Sequence, residues 1–110
     1  MVMSVESDVN GTVDLLKALA DPLRMRILTL LAHEALCTSH LVEETGAKQT
    51  NLSNHLKILR EAGLVDTEPC GRFTYYKLRP DALGALAGLL GDLAATARAT
   101  ASADTKRSCP

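Results

Sequence analysis

Tryptophan is absent from this 110-residue chain, and its aromatic residues are one phenylalanine and two tyrosines. Recognition of single-stranded nucleic acid by stacking needs aromatic platforms, so that mode is excluded. No unbroken apolar run approaches the roughly 20 residues of a membrane span. The acidic, polar start from Met1 to Gly11 has none of the character of a signal peptide. Cysteine is sparse and odd in number, with Cys37, Cys70 and Cys109 far apart. Such spacing makes no disulfide framework, and in the expected cytoplasmic setting these are free thiols, ligands or sensors. Also missing are a paired-carboxylate pocket, a Gly-rich phosphate loop and a nucleophile elbow. Cys37 with His40 could suggest a thiol and its base, but helices and a hairpin leave little room for a substrate pocket. The reading is therefore no enzyme.

What is present is a modest apolar fraction, 46%, enough to fill one small core. A single domain of this size buries a limited share of its surface and would gain from a dimer interface. Net charge is −1, which does not suit a non-specific nucleic-acid binder. The charge is, however, unevenly placed. Residues 1–45 carry three basic and seven acidic side chains. Residues 46–79 carry six basic ones (Lys48, Lys57, Arg60, Arg72, Lys77, Arg79) against Glu61, Asp66 and Glu68. Positive charge is concentrated in the middle third of the chain.

Apolar residues at Val9, Val13, Leu16 and Ala20 have a helical period. Asp21-Pro22 then starts a second helix, with aspartate as N-cap and proline in the first turn. It is predicted to run to about Ala32 and bury Leu23, Ile27, Leu30 and Leu31. Ala35–Cys37 reads as a short strand, and Thr38 or Ser39 caps a third helix that ends at Gly46. A fourth helix fits Gln49–Ala62. Leu64-Val65 and Phe73–Leu78 read as strands joined by the turn residues Glu68–Arg72. Pro80 opens a fifth helix over about Asp81–Thr100, where Leu83, Leu86, Leu90, Leu93 and Ala97 make a heptad seam. The predicted class is mainly α with a small β-hairpin, in the order α-α-(β)-α-α-β-β-α. Residues 1–8 and 101–110 are expected to be flexible ends of one domain spanning residues 9–100.

The third and fourth helices, separated by Gly46-Ala47-Lys48, form a helix-turn-helix candidate. On a wheel of the fourth helix, Leu52, Leu56 and Leu59 fall within about 60° of one another and must face the core. Thr50, Asn54, Lys57 and Glu61 lie opposite, Asn51 and Ser53 flank them, and His55 is near the other edge. Amide, hydroxyl and cationic groups are the types that read base edges and phosphates. Gln49, Thr50 and Asn51 occupy the helix N-terminus, the end that enters a major groove and favours phosphate. A solvated polar face would look the same on the wheel. The hairpin that follows, with Arg72 at its tip, favours the DNA-binding reading.

Three stretches, Ala18–Leu28 (ALADPLRMRIL), Gln49–Val65 (QTNLSNHLKILREAGLV) and Gly71–Leu78 (GRFTYYKL), resemble the ArsR/SmtB family of bacterial metal-sensing repressors. The resemblance covers roughly residues 13–98. It implies a winged helix-turn-helix homodimer, joined by its first and last helices through Val13, Leu16 and the seam leucines. The dimer would bind an imperfect palindrome in double-stranded operator DNA and be released by an effector. By position, Gln49, Thr50, Ser53, Asn54 and His55 match the family's recognition helix, and Arg72 matches its wing. Lys48, Asn51, Lys57 and Arg60 complete the expected DNA-binding set.

The effector is less legible. Arsenic-sensing relatives carry a Cys-x-Cys pair where this chain has Leu36-Cys37-Thr38-Ser39-His40-Leu41, so the first cysteine is present and the second is Ser39. Arsenite favours about three soft thiolates, and Cys109, with Cys70, is the candidate to join Cys37. Zinc-sensing relatives use Asp and His on the last helix, which here has Asp81 and Asp92 but no histidine. His33, Cys37 and His40 could serve nickel or another divalent ion instead. A co-regulator protein as partner, and an interaction module that binds no DNA, remain open at this point.

Overall fold

The computed structural model describes residues 5–103 and 106–109, with side chains from residue 11 onward. Five helices and three strands follow one another as α1 (Val5–Leu19), α2 (Pro22–Leu31), β1 (Leu36–Cys37), α3 (Thr38–Thr45), α4 (Gln49–Glu61), β2 (Val65–Cys70), β3 (Phe73–Leu78) and α5 (Pro80–Ala103). The arrangement is the winged helix-turn-helix expected from the sequence. α1 begins at Val5, four residues earlier than its apolar period indicates. α5 continues past Thr100, because alanine-rich residues 101–103 favour helix.

Asp21 caps α2, its side chain accepting a hydrogen bond from the Arg24 N–H at 3.0 Å. α3 is capped differently from the expectation. Cys37, not Thr38 or Ser39, is the N-cap, with extended backbone at φ −90 and ψ 172. Its backbone N–H donates to Nδ1 of His40, three residues on. Gly46 ends α3 at φ 72, a conformation that costs glycine nothing and turns the chain sharply toward α4.

The hairpin is longer than the sequence suggests. β2 extends through Pro69 to Cys70, and the turn is only Gly71-Arg72, with Gly71 at φ 63. A positive φ at the first turn position is what the favoured two-residue hairpin loops require, and glycine takes it without strain. The sheet order is β1-β3-β2, antiparallel throughout. β2 is therefore an edge strand, which tolerates the missing N–H of Pro69.

The core lies where α2, α3 and α4 meet the base of the wing. Ile27, Leu41, Leu52, Leu56, Leu59, Leu64 and Val65 are all but fully buried. Leu52, Leu56 and Leu59 are the face of α4 identified on the wheel. Leu31 is buried as expected, while Leu23 and Leu30 are half-buried at the margin. α1 and α5 are less well covered by their own chain. Val13, Leu16, Leu89, Leu90 and Leu93 are exposed, Leu93 by 60%. Two seam residues depart from the expected dimer face, since Leu86 is buried and Leu83 packs against the chain's own core. α5 has 24 residues, and an 18-residue window within it reaches a mean hydropathy of 1.2, so by length and composition alone it could cross a membrane. Asp92 and Arg98 interrupt the helix, so it contains no unbroken apolar run of that length.

Candidate nucleic-acid interface

α4 presents its polar side to solvent because its leucines face inward. Lys48, Gln49, Thr50, Asn51, Ser53, Asn54, Lys57 and Arg60 are all exposed, and so is Arg72 at the wing tip. Two open clefts border this helix. One, of about 200 Å³, lies between α4 and β3, where Ser53, Lys57 and Arg60 stand over Leu56 and Tyr76. The other, of about 320 Å³, joins the starts of α3 and α4 to the wing, with Ser39, Gln49, Arg72 and Phe73 among its walls. Hydroxyl, amide and guanidinium groups around a helix N-terminus suit a phosphodiester backbone.

The basic segment divides into two groups. Lys77 is paired with Glu68 at 3.1 Å and Arg79 with Asp66 at 3.5 Å, both along the wing's edge pairing. Lys48, Lys57, Arg60 and Arg72 have no ion-pair partner among the described residues. The cations free to meet phosphate are therefore those of α4 and the wing tip. Sequence reasoning also missed Phe73, which is 56% exposed beside Arg72, and Thr38, Ser39 and Thr74 in the larger cleft. Phe73 carried a signal, since a strand residue next to a two-residue turn has little core to reach.

His55 does not join the exposed polar face. Its side chain is 16% exposed and turned toward α2. Nδ1 lies 3.0 Å from the Arg24 guanidinium and 3.9 Å from the Asp21 carboxylate. The Asp21 carboxyl is held below its ordinary value, chiefly by the hydrogen bond from the Arg24 N–H. Partial burial opposes this, and the Arg24 guanidinium beside it adds to it.

These residues sit on a fold shared with known DNA-binding regulators. A family profile described as "Bacterial regulatory protein, arsR family" matches residues 21–67. An HTH-type transcriptional regulator of Methanocaldococcus jannaschii is 32% identical over 73% of this chain and 91% of its own length. The chain belongs to the ArsR family. It is thus a DNA-binding transcription regulator and not an enzyme. An ArsR-like regulator from Rhodococcus sp. RHA1 superposes with a TM-score of 0.79 at 25% identity, over 88% of this chain and 92% of the other. The arsenic resistance regulator ArsR1 of Pseudomonas putida is 39% identical over 59% of this chain, a match spanning about half, 52%, of that protein.

The thiols and imidazoles of this ArsR-family chain are only partly brought together. Cys37 is buried, whereas Cys70 and Cys109 are exposed. Cys37 Sγ is 3.4 Å from His40 Nδ1, and the His40 ring meets Tyr75 of the wing edge-on, with centroids 5.8 Å apart. His33 is exposed in the turn after α2. Among the described residues, no three His, Cys, Asp or Glu side chains gather where one ion could reach them all. Neither the Cys37–Cys70–Cys109 set nor the His33–Cys37–His40 set forms in a single chain. Cys37 lies in β1 beside β3, Cys70 at the far end of β2 and His33 in the turn after α2.

Proposed function

We propose that the protein is a homodimeric operator-binding repressor in the cytoplasm, reading DNA with Gln49, Thr50, Asn51, Ser53 and Asn54. Lys48, Lys57, Arg60 and Arg72 hold phosphates. The observation that carries this reading is the exposed polar face of α4, bordered by two clefts and by cations with no ion-pair partner among the described residues. Two such helices, one per protomer, would enter successive major grooves about 34 Å apart. The exposed leucines of α5, with Val13 and Leu16 of α1, are the surface for joining the two protomers. Binding to the chain's own upstream DNA, compared with Asn54→Ala and Arg72→Ala, tests this. A module serving protein contacts alone would show no operator affinity to lose.

The effector reading is narrower than the sequence suggested. The kinship with ArsR1, named for arsenic resistance, favours arsenite, and nickel or another divalent ion is the alternative. One chain offers either ion two donors at Cys37 and His40, where about three or four are needed. These residues do not make a complete site. What the geometry supports is a signal at the Cys37–His40 pair, which sits where α3, β1 and the wing meet. A disturbance there shifts the wing against α4, and a coupling of about 1–3 kcal/mol to DNA would be ordinary for such a switch. Titrating the reduced protein on operator DNA with arsenite, nickel, zinc and cadmium is the test. An unchanged response in Cys37→Ser would sink the assignment.

A further inference from the structure

The Arg24 guanidinium makes three side-chain hydrogen bonds, to α1 and to α4. Its Nε donates to the Ala18 carbonyl at 2.6 Å, and a terminal NH2 group donates to the Lys17 carbonyl at 3.2 Å. Both oxygens lie at the C-terminal end of α1, where carbonyls have no partner within the helix and a cation is favoured. The other terminal nitrogen reaches His55 Nδ1 at 3.0 Å. A guanidinium always donates, so this nitrogen accepts and the ring carries its proton on Nε2. One planar fork thus joins the end of α1, the start of α2 and the middle of α4, across 31 residues of sequence.

From this geometry we infer that Arg24 and His55 are positioning residues for DNA recognition, setting the angle at which α4 leaves the α1–α2 frame. The inference rests on α4 being the recognition helix. The buried residues of α4 are leucines, and apolar contacts are not directional. Leucine packing fixes which face of α4 is buried. Rotation and tilt about that face are fixed by directional bonds, and the fork supplies one to α4 while two others anchor it to the end of α1. α1 also bears the exposed Val13 and Leu16 proposed for dimer contact, so the fork ties the recognition helix to the frame that sets half-site spacing. A small misplacement of donors costs specific base contacts first, because phosphate contacts tolerate displacement.

The test is a double-mutant cycle on operator affinity in the full chain, with Arg24→Gln, His55→Leu and both together, at a temperature where circular dichroism shows each folded. Each single variant is expected to weaken operator binding by about tenfold, and the double by no more than either alone. Affinity for random-sequence DNA at low salt should change by less than about twofold, since phosphate contacts dominate there. His55→Asn places an amide oxygen near the position of Nδ1 and should restore affinity to within about threefold of the unmodified chain. Arg24→Lys, which keeps the charge but cannot fork, should not restore it. If Arg24→Gln or His55→Leu unfolds, the Asn and Lys variants decide by the same contrast. Equal operator affinity in folded variants, additive losses, or His55→Asn no better than His55→Leu would overturn the pair alone. An unmodified chain that binds no operator would overturn the recognition-helix reading along with it.

Discussion

The Cys37 thiol lies 3.4 Å from His40 Nδ1 and, in the β1–β3 register, directly across from Tyr75 of the wing. That position shields it, whereas Cys70 and Cys109 are open to solvent. Thiol reactivity should follow exposure. An aromatic disulfide reagent added to the folded, reduced protein is expected to titrate two thiols quickly and the third slowly. All three should react alike in denaturant. Three equal fast rates in the folded state would show that the wing does not cover Cys37.

The division of the basic residues makes a prediction about salt. Removing one phosphate-contacting cation lowers the salt slope of DNA binding by about one. Lys57→Ala and Arg72→Ala are expected to do this. Lys77→Ala and Arg79→Ala should change the slope by clearly less, because Glu68 and Asp66 already hold those charges in pairs. Equal slopes for all four variants would mean that the wing's ion pairs open when DNA arrives.

The α4 face was legible because a helix of 13 residues with leucines at 52, 56 and 59 has only one way to bury them. What periodicity cannot supply is a partner. His55 lies at the edge of the wheel, and only the fold brings up Arg24 to turn it inward. The heptad of α5 likewise shows that leucines share a side but not which chain covers them, and Leu86 proves to be covered by its own. Pro69 misled in the opposite direction. It marks a turn in most strand-like sequences, yet an edge strand with β3 on its other side accommodates it.

Asp21 joins the cap of α2 to the surroundings of His55, so its protonation should be visible in stability. Its carboxyl is held below the ordinary 3.8, first by the hydrogen bond from the Arg24 N–H. A carboxyl with a lowered folded value stabilises the fold above its unfolded value, and this contribution is lost as pH falls through the folded one. Asp21→Asn is therefore expected to lower Tm by a few degrees near neutral pH. The gap from the unmodified chain should close as pH falls below about 4. A gap that is constant across that window would mean the cap acts without its charge.

Two leucines separate the core from the proposed dimer surface. Leu56 is 1% exposed and Leu93 60%. Leu56→Ala should cost about 2–5 kcal/mol in denaturant unfolding, through lost burial and the cavity left behind. Leu93→Glu removes no contact buried within its own chain, so the protomer's helix content should be retained. If two chains join along α5, a carboxylate there meets its symmetry mate in an apolar seam, and sedimentation should show monomers. Operator affinity would then fall by about a hundredfold or more, because two linked half-site contacts become two independent ones. A Leu93→Glu protein that stays dimeric would place the joint elsewhere. One that is monomeric yet binds the operator undiminished would show that a single recognition helix is enough.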